Sequence, residues 1–332
     1  MTGGRIVLEH GDGGVLTAEL IRDVFLSRLG GHGNADEDCA ILPGAQCGAR
    51  VAVTTDAFVV APYKFRGGDI GKLAVSGTYN DLAVRGAHPT YMAASFILEE
   101  GLEVNELEDI VCSMAEEARR AGIAVVAGDT KVVPRGHCDK IFIGASGTGF
   151  VGESICLSVR NVSPGDKAIV TGDVGRHGAS LLALRLGIET PPGFTSDCMS
   201  MVFLPEIAAI QGVHCMRDLT RGGLATILAE IAEASSVTVN IDEGSVPVDD
   251  PTKGIAELLG VDPLYLPCEG RAVVFCDQNA EKVVEATLKR SGQKCATIGE
   301  VSRGPAVVQL FTKYGGTRRL SALIGAQLPR MC

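Results

Sequence analysis

The chain has 332 residues, 46% of them hydrophobic, and a formal net charge of −10. That is enough apolar material for about two domains of roughly 150 residues each, and the acidic balance excludes the basic stripe of a nucleic-acid surface. No apolar run reaches the ~18 residues of a membrane span, and MTGGRIVLEHGDGG lacks the apolar centre of a secretory leader; a soluble, cytoplasmic protein with no membrane contact is expected.

In chain order, RVAVTTDAFVV alternates and is rich in β-branched residues, which predicts a strand ending near Asp56. IGKLAVSGTYNDLAVRGAHP is helix-like, its small residues allow close packing, and Pro89 is expected to close it. YMAASFIL is the next strand. NELEDIVCSMAEEARRAG carries apolar residues at helical spacing and stops at Gly122. IAVVAGDT and DKIFIGASGTGFV are further strands. A fresh start follows at RNVSPGDKAIVTGDVGRHGASLLALRLG, a loop, strand, glycine turn and helix, so a boundary is expected within 152–165. Beyond it come helices at FLPEIAAIQ, GGLATILAEIAEAS and AEKVVEATLKRSG. The strands there are VTVNID, GRAVVFCD and CATIGEV, with a last hairpin around Tyr314. This mixture predicts α+β domains rather than one doubly wound sheet. The division expected is 1–155, 156–312 and a tail, 313–332.

The eleven cysteines include no CxxC pair, and an odd count fits reduced thiols that pack as small hydrophobes. Cys332 is different. It ends the chain, and Pro329 prevents a helical terminus, so its thiol is expected on a mobile arm.

Two glycine motifs fail on context. GTGFVG is followed by no helix to receive a pyrophosphate, and GGDIGKL is one residue short of a phosphate loop and ends in Leu73. The carboxylates are more informative. Asp38, Asp56, Asp81 and Asp129 stand where strands end or turns begin. One such acid is ordinarily a solvated cap, but four within about ninety residues are the oxygen ligands that Mg2+ with a triphosphate requires. Lys131 is placed to balance phosphate charge. DLTRGG adds Asp218 and Arg221, TGDVGRHG adds Asp173, Arg176 and His177, and LPCEGRAV puts Glu269 at a turn before an apolar strand, where a lone Glu is ordinarily a surface residue.

SGTYNDLAVRGAHP, AGDTKVV, TGDVGRHGASLL and RDLTRGGL resemble the ATP-binding superfamily of aminoimidazole ribonucleotide synthetase, selenophosphate synthetase and thiamine-monophosphate kinase. Within it, EHGDGG, DAFVVAPYKFRGGDIGKLAVSGT, FILEEGL, CEGRAVV and the terminal PRMC resemble the hydrogenase maturation factor family HypE over almost the whole chain. Met331 stands where that family has isoleucine, and Cys268 where asparagine is expected. The resemblance implies an N-terminal domain that forms a central β-barrel with its twin in a homodimer, a C-terminal α+β domain and a flexible tail. It implies ATP and Mg2+ as cofactors, with nucleotide contacts from Gly11, Gly13, Lys64, Thr78, Asn80, Asp81, Asp129 and Gly147. It further implies that a partner, HypF, carbamoylates Cys332, that ATP drives dehydration of the carbamoyl group to a thiocyanate, and that cyanide passes to iron on a HypC–HypD complex. Catalytic roles then fall to Cys332, to Lys131, which offsets phosphoryl charge, and to Glu269 as base for the nitrogen proton. Two rivals stay open: a superfamily enzyme phosphorylating a free small molecule, and a carrier whose nucleotide only stabilises its fold.

Overall fold

Thirteen of the fifteen residues of one central helix are buried, so the molecule is built around an element that no solvent face orients. The computed structural model describes residues 15–20, 22, 39–42, 50–323 and 330–332. After a short helix α1 (Val15–Leu20), the first half holds strands β1 (Ala40–Leu42), β2 (Arg50–Phe58), β3 (Lys64–Phe65) and β4 (Gly68–Asp69), then helix α2 (Ile70–Val84). It continues with β5 (Ala87–Glu99), α3 (Val104–Ala121), β6 (Ala124–Val133) and β7 (Ile141–Val151). The main sheet has the order β1-β2-β7-β5-β6, antiparallel except for the parallel β5–β6 pair.

The central helix is α2. Asp69 caps it by accepting from the backbone N–H groups of Gly71 and Lys72, at 2.8 and 2.9 Å. It ends at Val84, before Gly86 in the left-handed region. Pro89 therefore does not close the helix; it lies inside β5, beside a register shift in the pairing with β7. Helix α3 is amphipathic, burying Ile110, Met114, Glu117 and Ala118 and stopping at Gly122, as its spacing predicts. Both helices lie on one face of the sheet. Along β2 that face takes Ala52, Thr54 and Phe58, while Val53, Thr55 and Ala57 point the other way.

The second half contributes β8 (Lys167–Val170), α4 (Arg176–Leu186), α5 (Leu204–Ala208), β9 (Val213–Asp218), α6 (Gly223–Ser235) and β10 (Thr238–Asp242). It ends with α7 (Asp250–Leu259), β11 (Ala272–Cys276), α8 (Glu281–Arg290), β12 (Ala296–Ser302), β13 (Val307–Phe311) and β14 (Thr317–Leu320). Seven strands run in the order β14-β13-β10-β12-β8-β11-β9. One face packs Val170, Val273 and Phe275 against Leu224 and Leu228 of α6. The other packs Ile169, Met216 and Val274 against α8 and, through Met201 and Leu204, against Leu73 and Val84 of α2. The halves thus share one core, with α2 between the two sheets. The α+β expectation holds. Helix α7 was not foreseen.

The first sheet is open among the described residues, so no barrel closes within one chain. Its outer face exposes Val53, Tyr91, Ile97 and Phe150, and β6 is exposed from Ala124 to Val132 on both sides.

Candidate active site

Where the halves meet, four segments converge on a cleft. From the first half come the end of β2, with Asp56, and the last turn of α2, with Asp81. From the second come the turn between β9 and α6, with Asp218 and Arg221, and the loop before β11, with Glu269. The β9–α6 turn needs its glycines: Gly223 has φ +59°, and a Cβ there would lie 2.6 Å from the Leu266 carbonyl oxygen. That contact presses the turn onto the loop that carries Glu269.

Arg221 reaches solvent although protein encloses it on most sides, so it lines an open recess. The charge of Cys332, and then those of Asp56, Asp81 and Asp218, hold its guanidinium more firmly protonated than usual, against the opposing effect of burial. Burial raises the pKa of Asp56, opposed by Arg221 and by the Ala57 N–H donated to Oδ1 at 2.8 Å. The Thr54 hydroxyl donates to Asp81 Oδ2 at 2.8 Å.

Glu269 is the buried floor of the cleft. Burial first, then the charges of Asp218, Asp197 and Asp56, push its carboxyl well above the ordinary range, with Arg221 opposing. Its Oε1 is buried with no hydrogen-bond partner among the described residues. The backbone around it is fixed: its N–H donates to Asp197 Oδ1 at 3.1 Å, and its carbonyl accepts from Met199 N at 3.2 Å and from Asn80 Nδ2 at 3.4 Å. A fixed backbone carrying a buried carboxyl with a raised pKa and one oxygen left without a partner among the described residues is a candidate for proton transfer. The surface position that a lone glutamate ordinarily takes is not the one found.

The chain end is seated in this cleft. Val59 N–H donates to the Cys332 carbonyl at 3.0 Å, and Ala61 N–H to that of Arg330 at 3.2 Å. The Arg330 guanidinium donates to Val59 O at 2.8 Å and Asp139 Oδ2 at 2.7 Å, and covers the Phe142 ring at 5.6 Å. Arg185 donates to the carbonyls of Ala61 and Arg330, at 2.6 and 2.5 Å. Met331 is buried at 5% exposure. The chain end expected on a mobile arm is docked at its tip: residues 330–332 pair with the backbone just after β2, at Val59 and Ala61, with Arg330 itself in the left-handed region at φ +57°.

The other expected residues divide. Asp56 and Asp81 meet at the cleft, with Glu269 and Cys332. Asp129 and Lys131 do not: they pair with each other at 2.5 Å, on the outer face of β6 beside Ser95 and Ile97 of β5, opposite the face that bears Asp56. Strand alternation puts them there. Lys64 is at the surface, paired with Asp109 of α3 at 2.9 Å. Asn80 is fully engaged as a clamp, its Oδ1 accepting from Met201 N at 2.8 Å and its Nδ2 donating to Met199 O at 3.1 Å. Thr78 and Gly147 face each other in the seam between α2 and β7, where a Cβ on Gly147 would lie 2.6 Å from Thr78 Cγ2. Gly147 thus has a packing reason to be glycine. Gly11, Gly13 and Asp38 lie outside the described residues. Among the described residues no group of three His, Cys, Asp or Glu is placed to hold a metal ion. The pair Asp56 and Asp81 does fit Mg2+, which takes one or two carboxylates and fills its other positions with water and phosphate oxygens. Asp197 was missed: nothing in FTSDCMS marks it.

The family model for the N-terminal domain of AIR synthase related proteins matches residues 36–151, and that for the C-terminal domain residues 163–310. The carbamoyl dehydratase HypE of Rhodobacter capsulatus is 44% identical over 99% of this chain and 98% of its own. A crystal structure of a HypE in complex with ATP is 37% identical, with a TM-score of 0.82 over 99% of this chain and 100% of that one. A chain of a HypE–HypF complex is 38% identical, with a TM-score of 0.86 over 92% and 99%. On that identity along its whole length, this chain belongs to the HypE family of carbamoyl dehydratases.

Proposed function

We propose that this chain uses ATP to dehydrate a carbamoyl group carried on its own Cys332 thiol, giving a thiocyanate that supplies cyanide to the iron of nickel–iron hydrogenase. The observation that carries the reading is the seating of Cys332 on Val59 and within the charge field of Arg221, which also acts on Asp56, Asp81 and Glu269. A thiol docked among ionisable groups supports a role for Cys332 as the substrate carrier.

Amide oxygen is a poor leaving group. Attack of the carbamoyl oxygen on the γ-phosphorus of ATP expels ADP and converts that oxygen to a phosphate ester. The C–O bond then breaks, the nitrogen loses its protons and the C≡N bond closes. Overall, S-carbamoyl and ATP become S-cyano, ADP, phosphate and one proton. Asp56 and Asp81 would hold Mg2+, which would neutralise charge on the triphosphate. Arg221 offsets negative charge gathering at the cleft, and Glu269 accepts a nitrogen proton. The raised pKa of Glu269 makes this role depend on pH, since only its ionised form accepts a proton.

HypF as carbamoyl donor is supported by the relative solved with that partner; delivery of cyanide to HypC–HypD follows from the family resemblance. The exposed outer face and unpaired edge of the first sheet support a homodimer, whose interface would take in Asp129 and Lys131. No helix among the described residues is long and apolar enough to cross a membrane, and a cytoplasmic location is part of this reading. The test is intact mass of the S-carbamoylated chain with MgATP. Loss of the mass of one water, located at the C-terminal peptide, is expected; an unchanged carbamoyl mass overturns the proposal.

A further inference from the structure

His177 is wholly buried in α4, yet both ring nitrogens are bonded, each to a different part of the site. Nε2 lies 2.8 Å from the Met331 carbonyl oxygen. A carbonyl only accepts, so Nε2 carries the proton. Nδ1 is then the acceptor for the Ser196 hydroxyl at 2.7 Å. Burial lowers the pKa of His177 and keeps the ring in this neutral form. The Phe65 ring meets it edge-on at 5.4 Å and fixes its plane.

Ser196 opens the segment that holds Glu269. Its Oγ also accepts from Cys198 N at 3.0 Å, the next residue Asp197 accepts Glu269 N at 3.1 Å, and Met199 N donates to Glu269 O at 3.2 Å. One imidazole therefore joins the backbone of the penultimate residue to the loop beneath the carboxyl. Arg185 and Arg330 hold the chain end on its other side.

We propose that His177 is a positioning residue that registers the docked chain end against the Glu269 loop, making the seating of Cys332 and the alignment of Glu269 one event. This rests on the reading of Cys332 as the substrate carrier.

The test uses the full chain, limited iodoacetamide labelling and peptide mass spectrometry, with exposed Cys112 and Cys156 as internal standards. In His177→Ala, labelling of Cys332 relative to Cys156 should rise about fivefold, the shift that one lost hydrogen bond produces. His177→Gln keeps an N–H toward the Met331 carbonyl but loses the acceptor for Ser196. It should restore protection of Cys332 while ATP-driven loss of water from the S-carbamoylated chain stays at least about tenfold slow. Unchanged labelling in a folded His177→Ala overturns the proposal, and so does normal dehydration in a protected His177→Gln. If the wild-type chain loses no water, the functional reading fails, while the labelling arm still reports whether His177 seats the chain end.

Discussion

Glu269 shows how far a residue's chemistry departs from its sequence surroundings. LPCEGRAV reads as a turn before a strand, and a glutamate there belongs to solvent. Asp197, Asn80 and Met199 instead hold its backbone inside the domain junction, and burial with three neighbouring acids raises the pKa of its carboxyl. The sign of the consequence is fixed. A carboxyl whose folded pKa lies above its unfolded value favours folding below the unfolded pKa, and that contribution is lost as pH rises through the folded pKa. Glu269→Gln cannot ionise, so its melting temperature should gain on that of wild type as pH rises from about 5 to 9. The wild-type single-turnover dehydration rate should climb about tenfold per pH unit below the pKa of Glu269, since only the ionised form accepts the nitrogen proton. A flat rate profile with a constant melting difference would remove the base assignment.

Among the elements, α2 does the most. It is buried on nearly all sides, so it packs by small residues rather than by an apolar stripe, and Gly147 of β7 lies directly beneath Thr78 and Leu82. Its polar residues divide the work: Asp81 faces the cleft, and Asn80 clamps the segment from Met199 to Met201. Gly147→Ala should cost about 1–3 kcal/mol in denaturant unfolding, because its Cβ meets Thr78 Cγ2 at 2.6 Å. Since α2 carries Asp81, ATP affinity should fall in the same variant. A stable variant with normal nucleotide binding would show that the seam has room to relax.

For the whole molecule, the open sheet is the unfinished feature. Val126 at 61%, Tyr91 at 48% and Phe150 at 42% exposure are large apolar residues left to solvent beside β6, a strand edge with no partner among the described residues. In the proposed homodimer a second copy would cover both. Val126→Asp and Tyr91→Asp together should halve the mass seen by light scattering, while circular dichroism stays that of wild type, because these side chains touch no core of the single chain. A wild-type monomer, or an unchanged dimer in the double variant, would end the homodimer reading.

The sequence by itself determined the alternation of strands and helices, the α+β class and the family. Those rest on periodicity, glycine stops and local motifs, which act over a few residues. It also marked Asp56, Asp81, Glu269 and Cys332 as chemistry. Only the tertiary structure decided which of these meet. Strand alternation turned Asp129 and Lys131 to the opposite face from Asp56, a two-residue periodicity visible locally but meaningless until β5 and β6 pair in register. Asn80, Thr78 and Gly147 lie in motifs that look nucleotide-binding, yet the junction of the two sheets takes them up in clamps and close packing. The mobile arm inferred for Cys332 was a local inference from a chain end and Pro329. Its seat, made by Val59, Ala61, Arg185 and His177, comes from residues more than a hundred positions away, and no local pattern near the terminus reports on them.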